Sequence, residues 1–158
     1  MPSETDAAHG HAISAEIKSR AVKLLTTREH SRQELARKLC ARGYPTDDVD
    51  AVLDALERDE LLSEERLVET YVNERLDKGF GPLRIQAELR DKGLSDTQIG
   101  PHVAIDDDDC LQRIASIHAK RFGDSGPRDH KDLAKRARFL EYRGFPSHLI
   151  ARYLDMDD

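Results

Sequence analysis

The sequence predicts an all-α fold, an elongated, curved array of three tandem three-helix repeats. Its 158 residues include four Phe, four Tyr and no Trp, with 35% charged residues, a balance poor in the aromatic and β-branched types that strands prefer. A short phrase built on a glycine and a following apolar residue occurs three times, at Gly43, Gly93 and Gly144, separated by 50 and 51 residues. Apolar residues at helical spacing precede each phrase, which gives three helices per unit.

The register of the phrase extends well beyond the glycine. Leu39, Leu89 and Leu140 stand four residues before it, and Tyr44, Leu94 and Phe145 directly after it. Pro45, Ser95 and Pro146 follow, then Val49, Ile99 and Ile150. Each copy reads as helix, tight corner, helix, with the glycine supplying the left-handed residue that ends the first helix. A unit of this size buries little apolar area alone, so stacking on neighbours must supply part of its stability.

Taken in order, residues 1–13 are polar and expected to form a disordered leader. The first repeat spans 14–62: Ile17, Ala21, Leu24 and Leu25 mark its first helix, and Ser31 with Glu34 has capping-box spacing at the start of the second. Thr46 precedes the acidic first turn of the third. The second repeat spans 63–106. Ser63 opens it, Leu67, Val68, Tyr71 and Val72 give its first helix an apolar side, and Ser95 with Gln98 repeats the capping box. Gly100 and Pro101 fall inside the sixth helix, which is therefore expected to be short or kinked. The third repeat spans 107–158, with Leu111, Ile114, Ala115 and Phe122 on its first helix and an exposed loop over Gly123 to Pro127.

The formal net charge is -6, so the chain as a whole repels a phosphate backbone and any nucleic-acid contact must come from a local patch. One such patch is visible. Arg113 to Arg143 holds nine basic residues against four acidic ones. Lys131, Lys135 and Arg138 recur there at helical spacing, with Arg128, Arg136 and Arg143 nearby. This stripe suits DNA phosphates or an acidic protein surface, and equally suits a solvated helix face. Cys40 and Cys110 stand alone, as expected of reduced thiols in a cytoplasm, and no apolar run reaches membrane-spanning length.

The second repeat carries the most specific phrase, Lys78-Gly79-Phe80-Gly81-Pro82-Leu83-Arg84-Ile85. Gly79 ends one helix, Phe80 covers apolar surface, Gly81 turns, and Pro82 suits the first position of the next helix, so the phrase reads as a structural joint. A phosphate-binding loop is the alternative, but neither GxxxxGK nor GxGxxG is present. Arg84 is placed either to meet a partner or to pair with Glu88 at i,i+4. The run Asp106 to Asp109 complements a helix start and lacks calcium-loop spacing. Seven scattered histidines show no zinc spacing, and His118 falls on an apolar helix side as a core histidine. No nucleophile elbow or catalytic triad phrase occurs, so neither an enzyme nor a cofactor is expected.

That central phrase, with Ser63-Glu64-Glu65-Arg66 and Tyr71-Val72 before it and Glu88-Leu89-Arg90 and Lys92-Gly93 after it, resembles the central repeat of the RecX family. Arg138-Phe139-Leu140 followed by Arg143-Gly144-Phe145 resembles that family's last repeat, and the first unit matches more loosely. Arg136 departs from the pattern, standing where the earlier units carry Leu35 and Ile85. The resemblance implies a monomeric regulatory protein that binds the RecA recombinase and its filament on single-stranded DNA. It also implies inhibition of filament growth and recombinase activity, with weak direct contact to the DNA strand. The residues expected to meet the partner are Arg84, Arg90, Lys92, Arg128, Lys131, Lys135, Arg138 and Arg143. A helical module that binds DNA directly through the basic face of the third repeat is the competing expectation.

Overall fold

The computed structural model describes residues 4–156, and among these it contains nine helices and no strand. They are α1 (Glu4–Thr27), α2 (Arg32–Ala41), α3 (Thr46–Arg58), α4 (Glu64–Asp77), α5 (Pro82–Asp91), α6 (Asp96–Val103), α7 (Asp107–Phe122), α8 (His130–Arg143) and α9 (Ser147–Leu154). The helix starts follow the sequence signals closely. Ser31 and Ser95 each form a complete capping box, the serine oxygen accepting from Glu34 N or Gln98 N while that residue's side chain accepts from the serine N–H. Asp106 accepts from Asp109 N at 2.7 Å, so the acidic run opens α7.

Three local expectations are corrected. Pro45, with no side-chain bond to offer, occupies the cap of α3, and Thr46 is its first helical residue. The described part of the residue 1–13 segment is helical from Glu4, an N-terminal extension of α1 that its Ala residues favour; residues 1–3 lie outside the described residues. Arg136 is buried, at 5% exposure, and leaves the surface stripe in which it was expected. Its place in the helix pattern, equivalent to Leu35 and Ile85, outweighs its charge. The sixth helix is short, as expected, with Pro101 inside its eight residues.

The chain divides into two compact units. Among the described residues the first comprises 4–67 and 92–94, and its core gathers Ile17, Ala21, Leu35, Leu39, Val49, Val52, Leu53, Leu56 and Leu62. The stretch 92–94 is held on the start of α2, where the Ser31 hydroxyl, besides capping the helix, donates to Lys92 O at 2.6 Å. Gly93 needs both of its freedoms there: its φ is +92°, and a side-chain carbon would collide with Gln33.

Among the described residues the second unit comprises 68–91 and 95–156. Cys110, Ile114, Ala137, Leu140, Phe145, Leu149 and Ile150 form the core under α7, α8 and α9. The corner at Gly144 is locked against the start of α5, backbone to backbone. Gly81 N donates to Arg143 O at 2.7 Å and Leu83 N to Gly144 O at 3.0 Å. A side-chain carbon at Gly81 would stand 2.5 Å from the Gly144 carbonyl and 2.7 Å from Phe145 N. The Gly79 to Pro82 phrase thus links α4 to α5 and also packs on the glycine corner of the following repeat.

Candidate functional site

Helix α8 carries the basic side chains that the sequence places at helical spacing. Asp129 caps the helix by accepting from Asp132 N at 2.8 Å. Asp132 in turn accepts from Arg128 N at 3.1 Å, which fixes the end of the preceding loop. That hydrogen bond, with the nearby Arg136 and Arg128 guanidinia, holds the Asp132 carboxyl below its ordinary value. Arg128, Lys131, Lys135 and Arg138 then line one shallow depression, together with the two aspartates. Lys131, Lys135 and Arg138 are exposed and form no ion pair among the described residues. Arg128, its side chain 86% exposed, reaches Asp132 only at 3.9 Å. The face is cationic, open and uncommitted.

A buried network beneath it explains why Arg136 does not join. Its guanidinium pairs with Asp132 at 3.2 Å, donates to Ser125 O at 2.7 Å and lies over the Phe122 ring at 4.9 Å. It also meets His118 Nε2 at 3.3 Å. A guanidinium only donates, so Nε2 is the acceptor and the imidazole proton sits on Nδ1, 3.2 Å from Tyr153 Oη. Burial and the Arg136 charge push His118 below its ordinary pKa, which keeps the ring neutral. The expected core histidine is thus part of the anchor for the Gly123 to Pro127 loop.

Other candidates lie apart from the α8 face. Arg84 and Arg143 join a second cluster with Arg75, stacked around Phe80 at 4.5, 4.8 and 3.8 Å respectively. Glu88 accepts from Arg75 at 2.8 Å and from Tyr71 Oη at 2.5 Å, and stands 3.5 Å from Arg84. Burial alone raises the Glu88 carboxyl, but these partners outweigh it and hold the group below its ordinary value. Arg84 therefore does pair with Glu88, and it also lies 4.9 Å from the Tyr142 ring. Arg143 donates to Lys78 O at 3.4 Å. Arg90 is tied to Asp96 at 2.6 Å, and Lys92, in the first unit, to Glu34 at 3.3 Å.

Sequence reasoning missed Arg75 and the exposed pair Leu83 and Tyr142, at 52% and 73% exposure. Tyr142 had a signal, being a large ring on the polar side of an amphipathic helix. Arg75 had none, because its stacking on Phe80 depends on how the chain turns at Gly79. Among the described residues no three His, Cys, Asp or Glu side chains are grouped to hold a metal, and no helix is long and apolar enough to cross a membrane.

Three family models match the chain in order. The model described as RecX, first three-helix domain, matches residues 18–56; the second three-helix domain matches 63–100, and the third 107–154. A regulatory protein RecX from Halorhodospira halophila is 37% identical over 150 residues, covering 93% of each chain. One from Pseudomonas savastanoi pv. phaseolicola is 38% identical over 138 residues, 87% of this chain and 89% of that one. The crystal structure of RecX from Lactobacillus salivarius superposes with a TM-score of 0.78 at 20% identity, over 93% of this chain and 99% of that one. A second crystal structure, of regulatory protein RecX, gives 0.81 at 20% identity over 99% and 81%.

Proposed function

The chain belongs to the RecX family, and on that premise we propose that it binds the RecA recombinase and its filament on single-stranded DNA. In this reading it restrains filament growth, ATP turnover and strand-exchange activity in the cytoplasm, acts as a monomer, and performs no chemistry of its own. The observation that supports the reading most is the α8 face: Lys131, Lys135 and Arg138, exposed and without ion pairs among the described residues, on a chain whose net charge is -6. A local excess on an acidic molecule favours a composite target, with phosphates and protein carboxylates presented together, over free duplex DNA. Contacts to two adjacent RecA protomers would favour the filament over the monomer, since each half-site alone is weak.

Reversing both charges in Lys135→Glu/Arg138→Glu tests the assignment of the face. Both side chains are exposed, so the variant folds, and its co-sedimentation with RecA filaments is expected to fall at least about tenfold. Unchanged co-sedimentation removes the α8 face from the interface. The same cations favour a second reading, direct binding of naked DNA. Tight binding to single-stranded or duplex DNA without RecA, weakening steeply with salt, selects that alternative.

A further inference from the structure

The first unit carries a second cationic surface that the α8 face does not account for. Arg20, Lys23, Leu24 and Thr27 follow one another at i, i+3, i+4 and i+7 on α1, and they face Lys38, Leu39 and Arg42 at the end of α2 across a groove. The floor is aliphatic, from half-buried Leu24 and buried Leu39. The rim is four cations, and no carboxylate lines the groove. In the same unit Arg28, Arg32, Arg66 and Lys92 are paired with carboxylates, while Lys18, Arg37 and Arg58, which do not line the groove, are not. Neither are the four rim cations, among the described residues.

Two of the four are held in place by groups that leave the charge largely intact. Lys38 Nζ lies 2.8 Å from His30 Nε2, and His30 Nδ1 lies 3.0 Å from Arg28 O. An ammonium only donates, so Nε2 accepts, and the ring is the neutral Nδ1–H tautomer donating to that carbonyl. Arg20 Nε donates to Tyr44 Oη at 2.7 Å, and that hydroxyl donates onward to Glu16 at 2.7 Å, so the nearest carboxylate is one group removed. Lys23 and Arg42 are exposed at the rim. Aligned, unneutralised cations above an aliphatic floor are matched by a ligand with carboxylates at its edges and an aliphatic or aromatic side chain at its centre.

We propose that this α1–α2 groove is a docking site for a short acidic peptide segment of a protein partner, one whose large apolar side chain seats on Leu24, above the buried Leu39, between carboxylates that meet Lys23, Lys38, Arg42 and Arg20. The seven-residue span on α1 is about 10 Å, enough for about two turns of a docked helix. Nucleic acid fits less well, because the groove has no aromatic platform on which a base can stack.

Fluorescence anisotropy on the full chain tests this without any recombinase. The probe is a labelled synthetic peptide about twelve residues long with leucines at helical spacing on one face and glutamates elsewhere; its comparators replace every glutamate by glutamine or every leucine by serine. The acidic leucine peptide is expected to bind, and both comparators to bind at least about tenfold more weakly. Lys23→Glu/Arg42→Glu, two exposed substitutions, is expected to cause a similar loss, whereas Lys135→Glu/Arg138→Glu leaves binding unchanged. The proposal is overturned by absence of binding, by binding that Lys23→Glu/Arg42→Glu does not weaken, or by a labelled oligothymidylate that binds more tightly through the same two residues. None of these outcomes bears on the α8 face, so the two surfaces stand or fall separately.

Discussion

At Gly81 the Gly144 backbone is so close that even one methyl carbon has no room. Gly81→Ala is therefore expected to lower stability by about 1–3 kcal/mol, the range for overpacking against atoms that cannot yield. Gly100 is the contrasting case, a helical glycine with open space around it. There alanine is expected to raise stability by about 0.5–1 kcal/mol through backbone entropy. Urea unfolding of both variants checks the pair, and equal effects at the two sites would refute the close approach. His118 yields a pH prediction. Its folded pKa lies below the unfolded value of 6.5, because burial and Arg136 oppose a second positive charge. Between those two values the unfolded chain binds more protons, so stability falls as pH drops through 6.5 and levels off below the folded value. His30 is shifted in the same direction, with burial the first cause, so His118→Gln should flatten part, and only part, of that decline. Glu34 acts in a lower window. Burial raises it, but hydrogen bonds from Arg28 and Ser31 N–H and the Lys92 charge bring it to about 2. Its contribution is present above 4.5 and lost as pH falls toward that value.

The start of α2 and the start of α5 use one device in two chemistries. Ser31 Oγ donates to the carbonyl just before Gly93, and Gly81 N donates to the carbonyl just before Gly144. In each case a glycine corner rests on the first turn of a second helix. The helices, capping boxes and corners were legible in the sequence because they depend on neighbours within a few residues. What the corners touch was not, because it depends on contacts between segments about sixty residues apart, of which Gln33 and Arg84 carry no local mark. The same holds for Arg136. Its spacing among Lys135 and Arg138 suggested a surface cation, and only the equivalence with Leu35 and Ile85 pointed inward. Arg136→Leu restores that apolar pattern but removes the donor to Ser125 O and Gly126 O. Limited proteolysis between Gly123 and Pro127 is expected to speed up severalfold, while global stability changes by less than about 2 kcal/mol, since an apolar replacement offsets a buried ion pair. Unaltered cleavage would show that Arg136 does not anchor the loop.

For the molecule as a whole, four of the eight cations expected to meet the partner line one depression on α8 and four do not. Arg128, Lys131, Lys135 and Arg138 do come together, whereas Arg84 and Arg143 are spent on Phe80 and backbone carbonyls, and Arg90 and Lys92 on carboxylates. Spacing along a helix reports a shared face, but it does not report which cations already have partners. The proposed mode of action rests on those that have none. Adding the purified protein to preformed RecA filaments on single-stranded DNA, while following ATP turnover and filament length, tests that claim most directly. Shorter filaments with falling ATP turnover, both relieved by Lys135→Glu/Arg138→Glu, are the predicted result; filaments of unchanged length and turnover at saturating protein would contradict it.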